Sequence, residues 1–175
     1  MAATTLQGRR AMPIYPSDTI DIPNINNLIT SGTITSISTT QVINSAADFV
    51  TAGVKVGDIV YNVGTASSRF ATGVGLVTNV AATTLTISGT TSFNTASSIY
   101  RIFRAVQNGG NTNPGCLLNI GHTTTGTAGQ VRVLTVSGDD TMFFYKYGDF
   151  IPLQVVRAFE TGTTTSSYGA IIAIW

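Results

Sequence analysis

Short stretches in which apolar and polar residues alternate recur along much of the chain. The clearest of them lie at 99–106 and 130–136. A period of two places every second side chain on one face of an extended strand. Apolar residues at helical spacing do not persist over ten residues anywhere, so the pattern predicts an all-β fold.

The strand-like stretches fall into two groups. Residues 29–106 are expected to form a small β-barrel-like module, because short strands recur there with turns between them. Residues 107–114 are rich in Gly and Asn and predict a linker. Residues 115–175 are expected to form a jelly-roll-like β-sandwich that ends in an apolar strand, which should be buried. Residues 1–28 are expected to form an extended arm that contributes a strand to this last domain.

Prolines support the prediction of an extended arm. Pro13, Pro16 and Pro23 fix their own backbone and oppose helix in the residues before them. Residues 19–22 alternate Thr-Ile-Asp-Ile, which predicts that the strand of the arm lies there.

Local turn chemistry adds three expectations. Residues 81–83 and 138–140 interrupt alternating runs and predict hairpin turns. Residues 45–50 are expected to form one helical turn that ends at Gly53.

Composition describes the surface rather than the fold. Charged residues make up 10% of the chain, against roughly 25% in ordinary soluble domains. The 29 threonines suit strands and keep an uncharged surface wettable. We expect such a surface to pack against copies of itself or against a partner.

Charge and the absence of special segments exclude several function classes. The net charge is +1 and the basic residues are scattered, so no nucleic-acid partner is predicted. No run of 18 apolar residues occurs, and no apolar stretch follows the charges of the first ten residues. The sequence therefore predicts no membrane span and no secretory signal, and a chain made in a cytoplasm.

Few residues suggest catalysis or metal binding. His122 is the single histidine and Cys116 the single cysteine, which rules out an intrachain disulfide and an ordinary zinc site made from this chain. Asp139 and Asp140 follow a glycine between two strands and are read as turn residues. Asp18 and Asp21 are two carboxylates in the arm, and they are too few to supply the ligands of a calcium loop. No catalytic, cofactor-binding or metal-binding residue is predicted, and the chain is not expected to be an enzyme.

Aromatic residues leave one binding function open. A sugar-stacking platform could be built from them, although about half should be core residues in alternating strands. A carbohydrate-binding adhesion module is thus one alternative function. The aromatic residues in question are Tyr61, Tyr100, Phe103, Phe143, Phe144, Tyr145, Tyr147 and Trp175.

Two separated parts of the chain resemble one protein family. The first is the continuous stretch Arg10-Ala-Met-Pro-Ile-Tyr-Pro-Ser-Asp-Thr-Ile-Asp-Ile-Pro23. The second includes Gly129-Gln-Val-Arg-Val, Leu153-Gln-Val-Val-Arg157 and Thr161-Gly-Thr-Thr, with an apolar strand at the end. In this order the motifs are similar to those of the small head-spike base or capsid decoration proteins of gene transfer agents and related tailed phages.

The resemblance implies a structural role on a virion. It implies capsid decoration or a head-spike base, with the major capsid protein and further copies of the chain as partners, and a spike or fibre protein as an additional one. The residues from about 26 to 113 have no counterpart in such relatives, so we expect them to be inserted. A tail or baseplate component is the other alternative function.

An assembly interface is expected where the arm and the terminal strand meet a neighbour. Extended arms bind by backbone hydrogen bonds and by side chains that enter pockets. The expected interface residues are Pro13, Tyr15, Pro16, Ile20, Ile22, Pro23 and Trp175.

Overall fold

The computed structural model describes residues 11–24, 26–36, 38–65, 73–89, 96–105, 114–120, 129–146, 148–164 and 171–175. These residues form twelve β-strands and no helix, which confirms the all-β prediction. In chain order the strands are β1 (Ala11–Pro13), β2 (Leu28–Thr33), β3 (Gln41–Ile43), β4 (Ile59–Asn62), β5 (Gly73–Val80), β6 (Thr84–Ser88), β7 (Ile99–Phe103), β8 (Cys116–Ile120), β9 (Gly129–Thr135), β10 (Asp140–Tyr145), β11 (Phe150–Ala158) and β12 (Ile171–Ile174).

The strands build two antiparallel sheets of six strands each. Sheet I has the order β1-β12-β8-β11-β9-β10, and sheet II has the order β2-β7-β4-β5-β6-β3. All strands of sheet II lie in sequence between β1 and β8, which belong to sheet I. The chain therefore starts sheet I, builds the whole of sheet II, and returns to finish sheet I.

The edges of sheet II approach each other beyond β2. Thr35 donates its N–H to the carbonyl of Ile43 in β3, and Ser36 forms an isolated bridge with the same residue. The two edge strands β2 and β3 are thus linked at one corner. A fully closed barrel in this part of the chain stays a prediction.

Three apolar clusters hold the two sheets. The first lies on one face of sheet I and includes Leu118, Val133 and Val155. The second lies on one face of sheet II, where Phe49 and Tyr100 pack edge to face. The third contains residues of sheet II together with Met12, Ile20 and Trp175, which come from the arm and from the end of β12.

The third cluster joins the sheets because β4 is buried on both of its faces. Tyr61 and Ile59 point into the third cluster, whereas Val60 points into the second. Trp175 packs against both the first and the third cluster. The predicted burial of the apolar terminal strand is confirmed for one of its faces: β12 lies between β1 and β8, and Ile171 and Ala173 are buried.

Both predicted hairpins are confirmed. β5 and β6 flank residues 81–83, and β9 and β10 are joined across Gly138, which has a φ of 88°. A positive φ is strained for residues with a Cβ, so glycine is suited to this turn. The predicted helical turn lies a few residues later than expected: Ala52 donates its N–H to the carbonyl of Asp48, and Gly53, with a φ of 80°, follows this turn as predicted. Residues 45 and 46 instead form a tight turn, in which the side chain of Asn44 accepts the N–H of Ala46.

The arm pairs at a different place from the one predicted. Its strand is β1, which pairs with β12, whereas residues 19–22 form no named strand. The hydroxyl of Ser17 accepts the N–H groups of Thr19 and Ile20. These bonds turn the backbone and compete with strand pairing.

Pro152 explains an irregularity in the middle of sheet I. Its strand, β11, lies between β8 and β9, and the register with β8 shifts between Ile151 and Val155. Proline has no N–H to give to a neighbouring strand, so it is tolerated inside a sheet only where the pairing is interrupted.

Candidate functional site

Parts of the two motif regions that carry the family resemblance meet in the structure. Ser17 donates its N–H to the carbonyl of Ala158, and Ile22 donates its N–H to the carbonyl of Val156. The arm thus lies along β11 and the turn that follows it. We define the arm clasp as Asp18, Asp21, Arg157 and Thr161, the residues whose side chains make this contact.

A buried ion pair is the centre of the arm clasp. Arg157 donates from Nε to Oδ1 of Asp21 at 2.8 Å, and its Nη2 lies 2.6 Å from the same oxygen. The exposed fractions of the two side chains are 7% and 1%. A second nitrogen of Arg157, Nη1, donates to the carbonyl of Asp18 at 3.1 Å. One guanidinium therefore holds two points of the arm.

Asp18 completes the arm clasp at the surface. Its carboxylate accepts the N–H of Thr161 at 2.9 Å and the hydroxyl of Thr161 at 2.6 Å. The hydroxyl and the N–H of Thr161 hold the pKa of Asp18 below its ordinary value, because both bonds favour the ionised form. This arrangement fixes a position and offers no reactive group.

The arm also contacts sheet II. The hydroxyl of Tyr15 lies 3.1 Å from the hydroxyl of Ser88 at the end of β6. The ring of Tyr15 occupies the space beside Gly89, where an added Cβ would lie 2.8 Å from a ring carbon. The arm is therefore held between both sheets.

The seven predicted interface residues pack mostly against other residues of the same chain. Pro13, Pro16, Ile20, Ile22 and Pro23 are buried. The other two, at positions 15 and 175, are half-buried in the third cluster. An intermolecular role for these residues stays a prediction, but the structure leaves little of the five buried side chains for a partner.

Sheet II has its own buried carboxylate. Asp58 lies 2.9 Å from Nε of Arg104 and accepts the N–H of Lys55 at 2.8 Å. Burial raises the pKa of Asp58, and the neighbouring N–H and guanidinium only partly oppose this effect. Its ionisation therefore costs stability, in contrast to Asp140, whose pKa the hydrogen bonds from Arg132 lower.

These opposite shifts predict opposite pH dependences for two matched substitutions. Raising the pH from 3.8 towards neutral destabilises the native protein through Asp58, so Asp58→Asn should gain stability relative to it in this range. Asp140 stabilises the native protein above its ordinary pKa and loses this effect below 3.8, so Asp140→Asn should lose relative stability as the pH rises towards 3.8. Urea unfolding midpoints at several pH values measure both trends. Parallel trends for the two variants would contradict the assignment.

The described residues contain no group of three or more His, Cys, Asp or Glu side chains that could hold a metal ion. Cys116 is buried, its pKa is raised by burial, and its Sγ lies 3.5 Å from the carbonyl of Val155. It is therefore a core residue with little thiolate. His122 lies outside the described residues. Asp139 lies in the β9–β10 turn, as the sequence predicts, whereas Asp140 is already the first residue of β10.

The aromatic residues that the structure describes do not form a common platform. Tyr61, Tyr100 and Phe103 are buried in sheet II, and Tyr145 is buried in the core of sheet I. Tyr147 lies outside the described residues. The outlier is Phe144, whose side chain is 82% exposed on β10.

The exposed edge formed by β10 is a feature that the sequence pattern does not predict. Alternation identifies the strand, but it carries no information on whether the strand lies at the edge or in the middle of a sheet.

The described part of the chain also holds no helix long and apolar enough to cross a membrane. Comparison with protein-family models, with curated proteins and with solved structures finds no match.

Proposed function

We propose that this protein is a structural component of a phage virion. It acts as a capsid decoration protein or as the base of a head spike, self-associates, and docks on the shell formed by the major capsid protein. It is not an enzyme, and it serves as a platform for a spike or fibre protein.

The observation that carries this proposal is the arm clasp. Its residues belong to two motifs that resemble the head-spike base and decoration family, and they are separated by more than a hundred positions in sequence. The clasp therefore joins the two motif regions, and the insertion of sheet II between them is part of this proposal. A scaffold that survives such an addition suits a protein whose task is to present surfaces.

The surface chemistry supports the same proposal. Charged residues make up only 10% of the chain, which suits a surface that packs against copies of itself or against a shell. The aromatic side chains that the structure describes in sheet II are buried, which removes the observation that would have favoured a carbohydrate-binding module. A tail or baseplate position remains the alternative that the experiment below distinguishes.

The direct test is cryo-electron microscopy of the particles produced with this protein. We expect density on the head that accommodates both sheets. Density confined to the tail would replace the head assignment with a tail role, and absence of the protein from purified particles would overturn the proposal.

A second measurement addresses the docking itself. Purified protein should co-sediment with particles that lack it, and the bound fraction should change little between about 0.1 M and 1 M salt, because a weakly charged surface gains little from Coulomb attraction. Loss of binding at high salt would contradict docking through an uncharged surface.

A further inference from the structure

β10 is an edge strand that neither a proline nor a bulge interrupts. Among the described residues it pairs only with β9, and all six of its residues are in continuous register there. Natural edge strands are commonly kept short or interrupted by prolines, bulges or charges. The other edges follow this rule: β1 and β3 have three residues each, and the pairing of β2 with β7 is irregular.

The backbone groups of β10 that face outward can be identified. In β9, the carbonyl of Arg132 accepts the N–H of Phe159, and the N–H of Arg132 is donated to the hydroxyl of Thr163. Both backbone groups of Arg132 therefore point away from β10. Met142 is opposite Arg132, so these two residues form a pair without backbone hydrogen bonds between them. Such pairs alternate with hydrogen-bonded pairs along two antiparallel strands, and Phe144 is therefore in the same position as Met142. Met142 and Phe144 therefore direct their N–H and C=O groups to the free edge.

The side chains of these two residues are also exposed. Phe144 is 82% exposed and Met142 is 42% exposed. They lie on the face of sheet I opposite the first cluster, as does Asp140, and Lys146 follows at the same spacing of two. Along β10 this face thus reads acidic, apolar, apolar, basic.

We propose that β10 pairs with β10 of a second copy of this chain, antiparallel and centred on Phe143. In this register Asp140 lies opposite Lys146 of the other copy, and Met142 lies opposite the other copy's Phe144. A two-fold axis repeats each contact, which gives two ion pairs and two sulfur–aromatic contacts. Shifting the register by one pair places the acidic or the basic residue opposite an apolar one, so charge complementarity selects the centre.

The residues that form backbone bonds agree with this register. Met142 and the partner copy's Phe144 both point their backbone groups across the edge, so each such pair can exchange two hydrogen bonds. The contact is small compared with the roughly 1,600 Å² of a standard interface, and a concentration-dependent dimer is expected in solution. This inference deepens the proposed function, because it identifies a contact through which the chain could self-associate. The observations on β10 do not themselves depend on a role in a virion.

Sedimentation velocity of the full chain over a range of concentrations tests the pairing. Native protein should dimerise as its concentration rises. Asp140→Lys and Lys146→Asp should each raise the dimerisation midpoint at least about tenfold, which corresponds to about 1.4 kcal/mol, because each places two like-charged pairs across the axis. Both positions are exposed, so both variants should fold.

An equimolar mixture of the two variants gives the sharpest test. In a mixed dimer every acidic group again faces a basic one, so the mixture should dimerise within about threefold of the native midpoint. Asp48→Lys makes the same charge change on an exposed residue outside sheet I and should leave the midpoint unchanged. A native protein that stays monomeric, variants that dimerise as the native chain does, or a mixture that does not recover would each overturn the pairing. A monomeric chain found on particles would overturn the pairing alone and leave the proposed function standing.

Discussion

Asp21→Ala should lower the free energy of unfolding by about 3–5 kcal/mol, because it leaves the guanidinium of Arg157 buried without its counter-charge. The total stability of a domain is roughly 5–15 kcal/mol, so this loss is a large part of it. The two side chains are 1% and 7% exposed, which leaves little water to replace the lost partner. Urea unfolding followed by far-ultraviolet circular dichroism and by the fluorescence of Trp175 measures the effect.

Asp140→Ala is the matched control for this prediction. Asp140 also binds an arginine through two nitrogens, but the pair is at the surface, with exposed fractions of 34% and 43%. Exposed pairs contribute little because water solvates the charges that remain. The control should therefore lower the unfolding midpoint far less than Asp21→Ala does. Equal losses in the two variants would mean that the arm clasp is open in solution.

A double variant separates the ion pair from the rest of the arm clasp. Asp21→Ala combined with Arg157→Met removes both charges, and the loss should be clearly smaller than the sum of the two single losses. Arg157→Met alone also removes the bond to the carbonyl of Asp18, so part of its effect should remain in the double variant. Additive losses would show that the two side chains do not interact.

The local features of this fold could be predicted from sequence, because they depend on neighbouring residues. The hairpin at Gly138 follows from a glycine that adopts a positive φ between two alternating strands. The burial of β12 follows from its apolar composition. The position of the arm strand was predicted wrongly, since the hydroxyl of Ser17 binds the backbone of Thr19 and Ile20 where alternation alone suggests a strand.

The candidate sites depend on partners that are distant in sequence. Asp21 lies between two isoleucines and Arg157 lies in a long strand, and neither position indicates that the two charges meet. Likewise, the alternation in β10 predicts a strand, but its place at the edge of sheet I depends on the pairing order of six strands. The position of Phe144 at an open sheet edge therefore cannot be predicted from the residues around it.

Phe103→Ala should also cost about 3–5 kcal/mol, the usual range when a buried phenylalanine is truncated. Phe103 has no exposed surface and packs edge to face against Tyr61, with ring centroids 5.7 Å apart. Its cluster includes Met12 and Ile20 of the arm, so the cavity would open between the arm and sheet II. The effect should appear both in urea unfolding and in the fluorescence of the native protein, since Trp175 belongs to the same cluster.

Two further phenylalanines give this experiment its controls. Phe49→Ala truncates an equally buried ring in the second cluster, which does not include Trp175, so it should destabilise the protein but leave the native emission of Trp175 unchanged. Phe144→Ala removes an exposed ring and should change stability by no more than about 0.5 kcal/mol at concentrations where the chain is monomeric. If Phe103→Ala and Phe49→Ala had the same native emission as the unmodified protein, the third cluster would not join the two sheets in solution. A change in the native emission that occurs only in Phe103→Ala would show that Trp175 lies beside the contact between the arm and sheet II.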